Sequence, residues 1–206
     1  MNVKNFVNCL DFPCQDVKHT GYLVPEVELD PSQISIVMIS EAAPQDPSDY
    51  YYAGAQALFA RTTLQAFDDA GVKVASIQEL LDMGVYFTTA VKCSKTAYGI
   101  ETGTIEQCSH LLEKELALFP NLRAYMLMGD VAIKAFNLVA KRLGQGRVIP
   151  AGSTYKIRSG SFYYQDRRVF PSYLQAGPSF FIEKSKRQMI AADIAAAFKL
   201  IPQGRV

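Results

Sequence analysis

The sequence predicts an α/β fold, a three-layer α/β/α domain on a central, mostly parallel four-stranded sheet. Short apolar runs rich in β-branched and aromatic residues alternate along the chain with segments whose apolar residues recur at helical spacing. The resulting β-α-β-α-β-α order is most economically built from parallel strands whose crossover helices cover both faces. With 206 residues, 49% of them hydrophobic, the chain can bury one full core, so residues 1–206 read as a single domain.

The first strand is Ile34-Ser35-Ile36-Val37-Met38-Ile39, too short for a helix and ending at Ser40-Glu41-Ala42-Ala43-Pro44. Ala57, Leu58, Leu64 and Phe67 then mark a helix between Gly54 and Ala70, with Gly71 as its stop. Val85 to Thr89 is the second strand. Thr104-Ile105-Glu106-Gln107 fits a capping box opening a helix to about Phe119, whose inward face carries Cys108. Ala124 to Met128 is the third strand, and Asp130 is placed to cap a helix from Val131 to Leu143. Aromatic residues around Ser159-Gly160 suggest a hairpin between Gly152 and Phe170, which makes Val169-Phe170 the last sheet strand. A final helix runs from Pro178 to about Leu200, with Ile190, Ala191, Ile194 and Phe198 as its apolar stripe. No repeats or low-complexity segments occur.

No apolar run approaches the roughly 18 residues a membrane span needs, and the N-terminus lacks the apolar core of a secretory signal. A soluble cytoplasmic protein, with no membrane partner and monomeric, is the expectation. In a reducing compartment the four cysteines are expected to be buried apolar residues, metal ligands or redox groups rather than disulfides. Charge is divided along the chain: residues 1–120 carry 7 Lys+Arg against 16 Asp+Glu, and residues 121–206 carry 14 against 4. The second part, with Lys156, Arg158, Arg167, Arg168, Lys184, Lys186 and Arg187, suits a polyanion or an acidic protein surface, or it neutralises the first part within the fold. No Gly-x-Ser-x-Gly, Walker or Gly-x-Gly-x-x-Gly fingerprint is present, which removes the chemistry of hydrolase elbows and nucleotide-phosphate loops. His19 and His110 read as structural or solvated.

Three strand ends feed loops that would meet at one edge of a parallel sheet, where α/β folds place ligands. They carry Ser40-Glu41-Ala42-Ala43-Pro44, Thr88-Thr89-Ala90-Val91-Lys92-Cys93 and Val169-Phe170-Pro171-Ser172-Tyr173-Leu174-Gln175. Asp49-Tyr50-Tyr51-Tyr52-Ala53-Gly54 follows the first of them. The cysteines form two pairs, Cys9 with Cys14 and Cys93 with Cys108.

These segments, in this order and over roughly Cys14 to Met189, resemble the iron-sulfur branch (family four) of the uracil-DNA glycosylase superfamily. The resemblance implies a uracil-DNA glycosylase-like fold and hydrolysis of the N-glycosidic bond of a flipped-out uracil or other deaminated base in single- or double-stranded DNA, as in base excision repair. It assigns Glu41 to handling the attacking water, with Ser40 and Ala42 in the base-binding loop. A carboxylate suits that role, because bond cleavage develops positive charge on the sugar and the water needs a base. Tyr52, or Tyr51 beside it, stands at the phenylalanine that stacks on the base. Thr89 stands where the family reads uracil with asparagine, and one hydroxyl cannot reproduce that donor-acceptor pair. Ser172, Tyr173 and Leu174 fall on the segment that ends in Ser/Thr-Tyr-His-Pro, with Leu174 at the histidine. A hydrogen bond to a charged leaving group is worth about 1.5 to 3 kcal/mol, roughly 10- to 100-fold in rate. Gln175 substitutes for it from one residue away, or Leu174 acts as the wedge that fills the gap behind an extruded base. The four cysteines match in number the ligands of a [4Fe-4S] cluster, with a Cys9-x4-Cys14 spacing wider than the family's; a zinc site of four cysteines and a metal-free pair of core thiols are the other readings. A non-catalytic DNA- or nucleobase-binding protein on the same fold is the alternative function.

Overall fold

The computed structural model describes residues 1–201. Six strands form one mixed sheet: β1 (Val17–Lys18), β2 (Ile36–Ala43), β3 (Val85–Lys95), β4 (Ala124–Met128), β5 (Phe162–Tyr164) and β6 (Arg167–Ser172), in the order β1-β3-β2-β4-β6-β5. The four inner strands are mutually parallel, and β1 and β5 add antiparallel edges. The sheet is therefore two strands wider than the four-stranded sheet expected. Lys18 and Val17 pair only with Ser94 and Lys95, too short a ladder to leave a trace in the hydrophobic pattern. The described residues form six α-helices: α1 (Leu58–Asp69), α2 (Ile77–Asp82), α3 (Thr102–Leu116), α4 (Asp130–Arg142), α5 (Thr154–Ile157) and α6 (Lys184–Phe198).

Alternation along the inner strands divides the core into two layers. Val37, Ile39, Tyr86, Tyr125, Leu127 and Val169 pack under α3 and α4. Their neighbours Ile36, Met38, Phe87, Met126, Met128 and Phe170 pack under the opposite face, with Phe67 of α1 and Ile190 and Ile194 of α6. Helices on both faces make the three layers expected from the alternating pattern.

The outer edge of β3 is covered by means other than a full strand. Tyr52 donates its hydroxyl to the Phe87 carbonyl at 3.1 Å and accepts the Phe87 N–H at 3.0 Å, and Leu23 N–H donates to the Lys92 carbonyl at 2.7 Å.

Several boundaries depart from the sequence reading for identifiable reasons. β2 continues through Ser40-Glu41-Ala42-Ala43, pairing with β3 as far as a register shift at Ala42/Ala43, so the segment expected as a loop is strand. Thr104 does not cap α3, because its hydroxyl bonds to the Asp16 carboxylate, whose other oxygen accepts the Glu101 N–H. Asp130 is the first residue of α4, and Gly129 is its cap. The hairpin turns at Gln165-Asp166, both at positive φ as a two-residue turn demands, and not at Ser159-Gly160. A 3-10 turn, Pro178–Phe181, precedes α6. Among the described residues no helix is long and apolar enough to cross a membrane.

Candidate functional site

Parallel pairing places Ser40 of β2 opposite Thr89, midway along β3, and Met128 of β4 opposite Ser172 of β6, with Ser40, Met128 and Ser172 near the carboxyl ends of their strands. The edge is tied together by Gly129 N–H, which donates to the Ser172 carbonyl at 3.0 Å. Two groups of side chains stand along this edge, separated by the sheet itself.

On the face of α1 and α6, the Ser40 hydroxyl is hydrogen-bonded to the Tyr51 phenol and donates to Gln175 Oε1 at 3.2 Å, and Gln175 Nε2 donates to Tyr51 at 3.1 Å. All three side chains are buried, and the Tyr51 ring stacks on Phe87 with centroids 5.4 Å apart. Burial pushes the Tyr51 phenol well above its ordinary value, so it serves as a neutral donor. Beside this trio the hydroxyl of Thr89 is buried with no hydrogen-bond partner. Ser172 donates to Asp193 Oδ2 at 2.6 Å, and Arg158 holds the same carboxylate through its Nε and Nη2 at 3.2 and 2.6 Å. Burial raises Asp193 above the usual carboxylate range against the pull of Ser172 and Arg158.

On the face of α3 and α4 stands Glu41, half-buried, with Oε1 3.5 Å from the N–H of Val131 in the first turn of α4. The positive end of a helix attracts a carboxylate there. Gly129 makes the approach feasible: its φ is +105°, and a Cβ on it would lie 2.6 Å from Glu41 Oε1. Ser40 and Glu41 are adjacent in sequence and therefore face opposite ways.

Of the other expected residues, Ala42 is buried in β2 against Val91. Tyr52 spends its hydroxyl on the β3 edge. Tyr173 and Leu174 are half-buried, with the Lys186 ammonium 5.3 Å from the Tyr173 ring centre. Tyr98, in the loop after β3, is 99% exposed, has the Lys95 ammonium 5.8 Å from its ring centre and lies within electrostatic reach of Lys186. A lone loop tyrosine carries no pattern by which the sequence could single it out.

Beneath the strand ends lies a fully buried ion pair, Lys92 with Glu115. The ammonium also donates to Thr88 Oγ1 and to the Thr89 carbonyl, both at 2.7 Å, while Glu115 Oε1 accepts from Tyr86 at 2.7 Å and Thr88 at 2.9 Å. This network joins the end of β3 to α3. A lysine inside a β-strand and a glutamate in a helix 23 residues away give no local sign of such pairing.

The four cysteines are all free thiols. Cys9 and Cys14 come from the N-terminal loop, Cys93 from β3 and Cys108 from α3, and Cys9, Cys14 and Cys108 line one cavity of about 290 Å³ with His110 and Lys114. Burial, with a smaller contribution from the neighbouring Cys108, Cys9 and Cys14, pushes the Cys93 thiol up to about 12. Cys108 is raised to about 11, again chiefly by burial. Its sulfur accepts a hydrogen bond from the Lys92 backbone N–H. The loop is shaped by Tyr22, which accepts the Cys9 N–H at 3.0 Å and donates to the Val7 carbonyl at 3.2 Å. Among the described residues no three His, Cys, Asp or Glu side chains are grouped closely enough to hold a single metal ion.

Comparison of the chain with protein-family models and with curated proteins found no match to either.

Proposed function

We propose that the chain is a uracil-DNA glycosylase-like protein that takes a flipped-out, deaminated base at the carboxyl edge of its sheet and hydrolyses the glycosidic bond, with Glu41 handling the water. The observation that carries this reading is the meeting of the three strand-end segments at one edge, with Glu41 half-exposed over the start of α4. Because Ser40 and Thr89 face one layer and Glu41 the other, a base that engages both lies across the strand ends. Thr89 Oγ1, buried and unpartnered, is the kind of group a ligand's polar atom satisfies. Tyr98 and Tyr173 are aromatic faces suited to unpaired bases, and Lys95 beside Tyr98 supplies a charge for their phosphates.

Leu174 has no proton to give a leaving base, and Gln175 is committed to Ser40 and Tyr51. That commitment favours the second reading, a protein that binds DNA or a nucleobase without cleaving it.

A [4Fe-4S] cluster belongs to the proposal. Cys9, Cys14, Cys93 and Cys108 would hold it: three of these thiols line one cavity and Cys93 lies within electrostatic reach of them, which suits the four thiolates such a cluster needs. When bound, it would supply the positive charge that lets the two buried thiols ionise.

Oligonucleotides carrying uracil, hypoxanthine or xanthine, incubated with the protein and treated with alkali, test the activity. Strand breaks made by the wild type and lost in Glu41→Gln support the first reading, and binding without breaks supports the second. Iron and acid-labile sulfide in anaerobically purified protein test the cluster.

A further inference from the structure

The basic residues that stand out in the sequence are largely consumed inside the fold. Arg158 holds Asp193, Arg187 pairs with Asp69, and Lys186 lies 2.5 Å from Glu183. Arg167 donates to Tyr125, and Arg168 donates to the carbonyls of Phe162, Val169 and Gly160 while stacking between Tyr163 and Phe170. Three further cations, without ion pairs among the described residues, share a cleft of about 350 Å³ between α3 and α4.

Lys134, Lys141 and Arg147 line this cleft, and no carboxylate does. All three are exposed, and none forms an ion pair among the described residues. Lys134, Asn137, Leu138 and Lys141 are spaced i, i+3, i+4 and i+7, one face of α4, which sets the two lysines about 10 Å apart along the helix. Arg147 is brought beside them by Asn137, whose side chain accepts the N–H groups of Val148 and Ile149 at 3.0 and 2.9 Å and donates to the Ile149 carbonyl at 2.9 Å. Ile105 and Leu138 floor the cleft, and Thr102 opens it at the start of α3. Lys134 stands three residues, about 4.5 Å of helix rise, beyond Val131, the residue that meets Glu41.

We infer that the α3/α4 cleft is a track for the phosphodiester backbone of a nucleic-acid strand, with Lys134, Lys141 and Arg147 meeting successive phosphates as the strand leaves the sheet edge. Three unpaired cations in a row, without a carboxylate, match a linear polyanion in charge. Two lysines one heptad apart on a helix meet a repeating charge better than a single phosphate. The inference rests on the proposed nucleic-acid reading of the sheet edge, but not on any bond being cleaved there.

The test is fluorescence anisotropy with a labelled single-stranded DNA oligonucleotide across a salt series. It compares wild type, the triple variant Lys134→Gln/Lys141→Gln/Arg147→Gln, the charge reversal Lys141→Glu, and a control triple variant, Arg61→Gln/Arg123→Gln/Lys199→Gln, that removes the same charge elsewhere. Each phosphate contact to a single strand contributes about 0.7 to the slope of log affinity against log salt, so the cleft variant is expected to lose about 2 from that slope and to bind about tenfold or more weakly at low salt. Lys141→Glu should weaken binding in the same direction, and the control triple should not. An unchanged slope, or an equal loss in both triples, overturns the inference. So does displacement of the oligonucleotide by inorganic phosphate at matched ionic strength, which would make the cleft a site for a single phosphate. DNA binding by the wild type without base release would count against the glycosylase reading alone and leave this inference standing.

Discussion

Lys92 and Glu115 carry charge in a place where burial makes charge costly, and the network around them explains how it is sustained. Every proton of the Lys92 ammonium has an acceptor, and both oxygens of Glu115 are used. Removing one partner of such a pair leaves the other uncompensated, at a cost of about 3 to 5 kcal/mol. Urea denaturation of Lys92→Met should show a loss of that order, and Lys92→Met/Glu115→Leu a smaller one. The thiols follow the same logic of burial. Cys93 and Cys108 are raised to about 12 and about 11, so at pH 8 they stay protonated, and in cluster-free protein iodoacetamide should modify Cys9 and Cys14 well before them. Their folded values lie above the unfolded one of about 9. The native state then holds protons that the unfolded chain releases, and stability from these groups should fall as pH rises from about 9 toward 12. Tyr98, exposed among lysines, makes a separate prediction: Tyr98→Ala should weaken oligonucleotide binding by about 1 to 3 kcal/mol while leaving thermal stability unchanged.

Among the elements, the inner strands were the most legible in the sequence, because strands buried on both faces read as unbroken apolar runs. Their ends were not. β2 runs on through Glu41, since its partner β3 continues beside it, and nothing local to Ser40-Glu41 announces that pairing. The Thr104 capping box failed for a related reason: Asp16, 88 residues away, takes the hydroxyl. The α2 helix escapes the sequence reading although its signal is local, with Ser76 accepting the Glu79 N–H at 3.1 Å and Glu79 accepting the Ala75 N–H at 2.9 Å. The strand ends that carry the candidate site could be named from sequence, but the partition of Ser40 and Glu41 onto opposite faces required the register. Gly129 ties this geometry to Glu41. Gly129→Ala would drive a Cβ into that carboxylate at an unfavourable φ, so base release should fall as it does in Glu41→Gln, with a measurable loss of thermal stability as well. Tyr52→Phe would bare the Phe87 N–H and carbonyl at the edge of β3. It should cost about 1 to 3 kcal/mol in denaturant titrations.

Over the whole molecule, the division of charge along the chain turns out to be a poor map of the surface. The basic stretch from Lys156 to Arg187 mostly fastens elements together, as Arg158 fastens the end of α5 to α6 and Arg187 fastens α6 to α1. The cations left unpaired in the α3/α4 cleft are scattered in sequence and meet only through the packing of two helices. Fold class could be read because it depends on periodicity, whereas the sites depend on which side chains find partners. The central claim is that Glu41, held over the start of α4, turns a nucleobase-binding edge into a hydrolytic one. Single-turnover release of a deaminated base from an oligonucleotide, compared between wild type and Glu41→Gln with binding measured on the same samples, tests it directly. Release by the wild type, with a loss of about 100-fold or more in the variant at unchanged affinity, is the predicted result for a group acting on the water. No release by the wild type from any deaminated base, or equal release by both proteins, would contradict it.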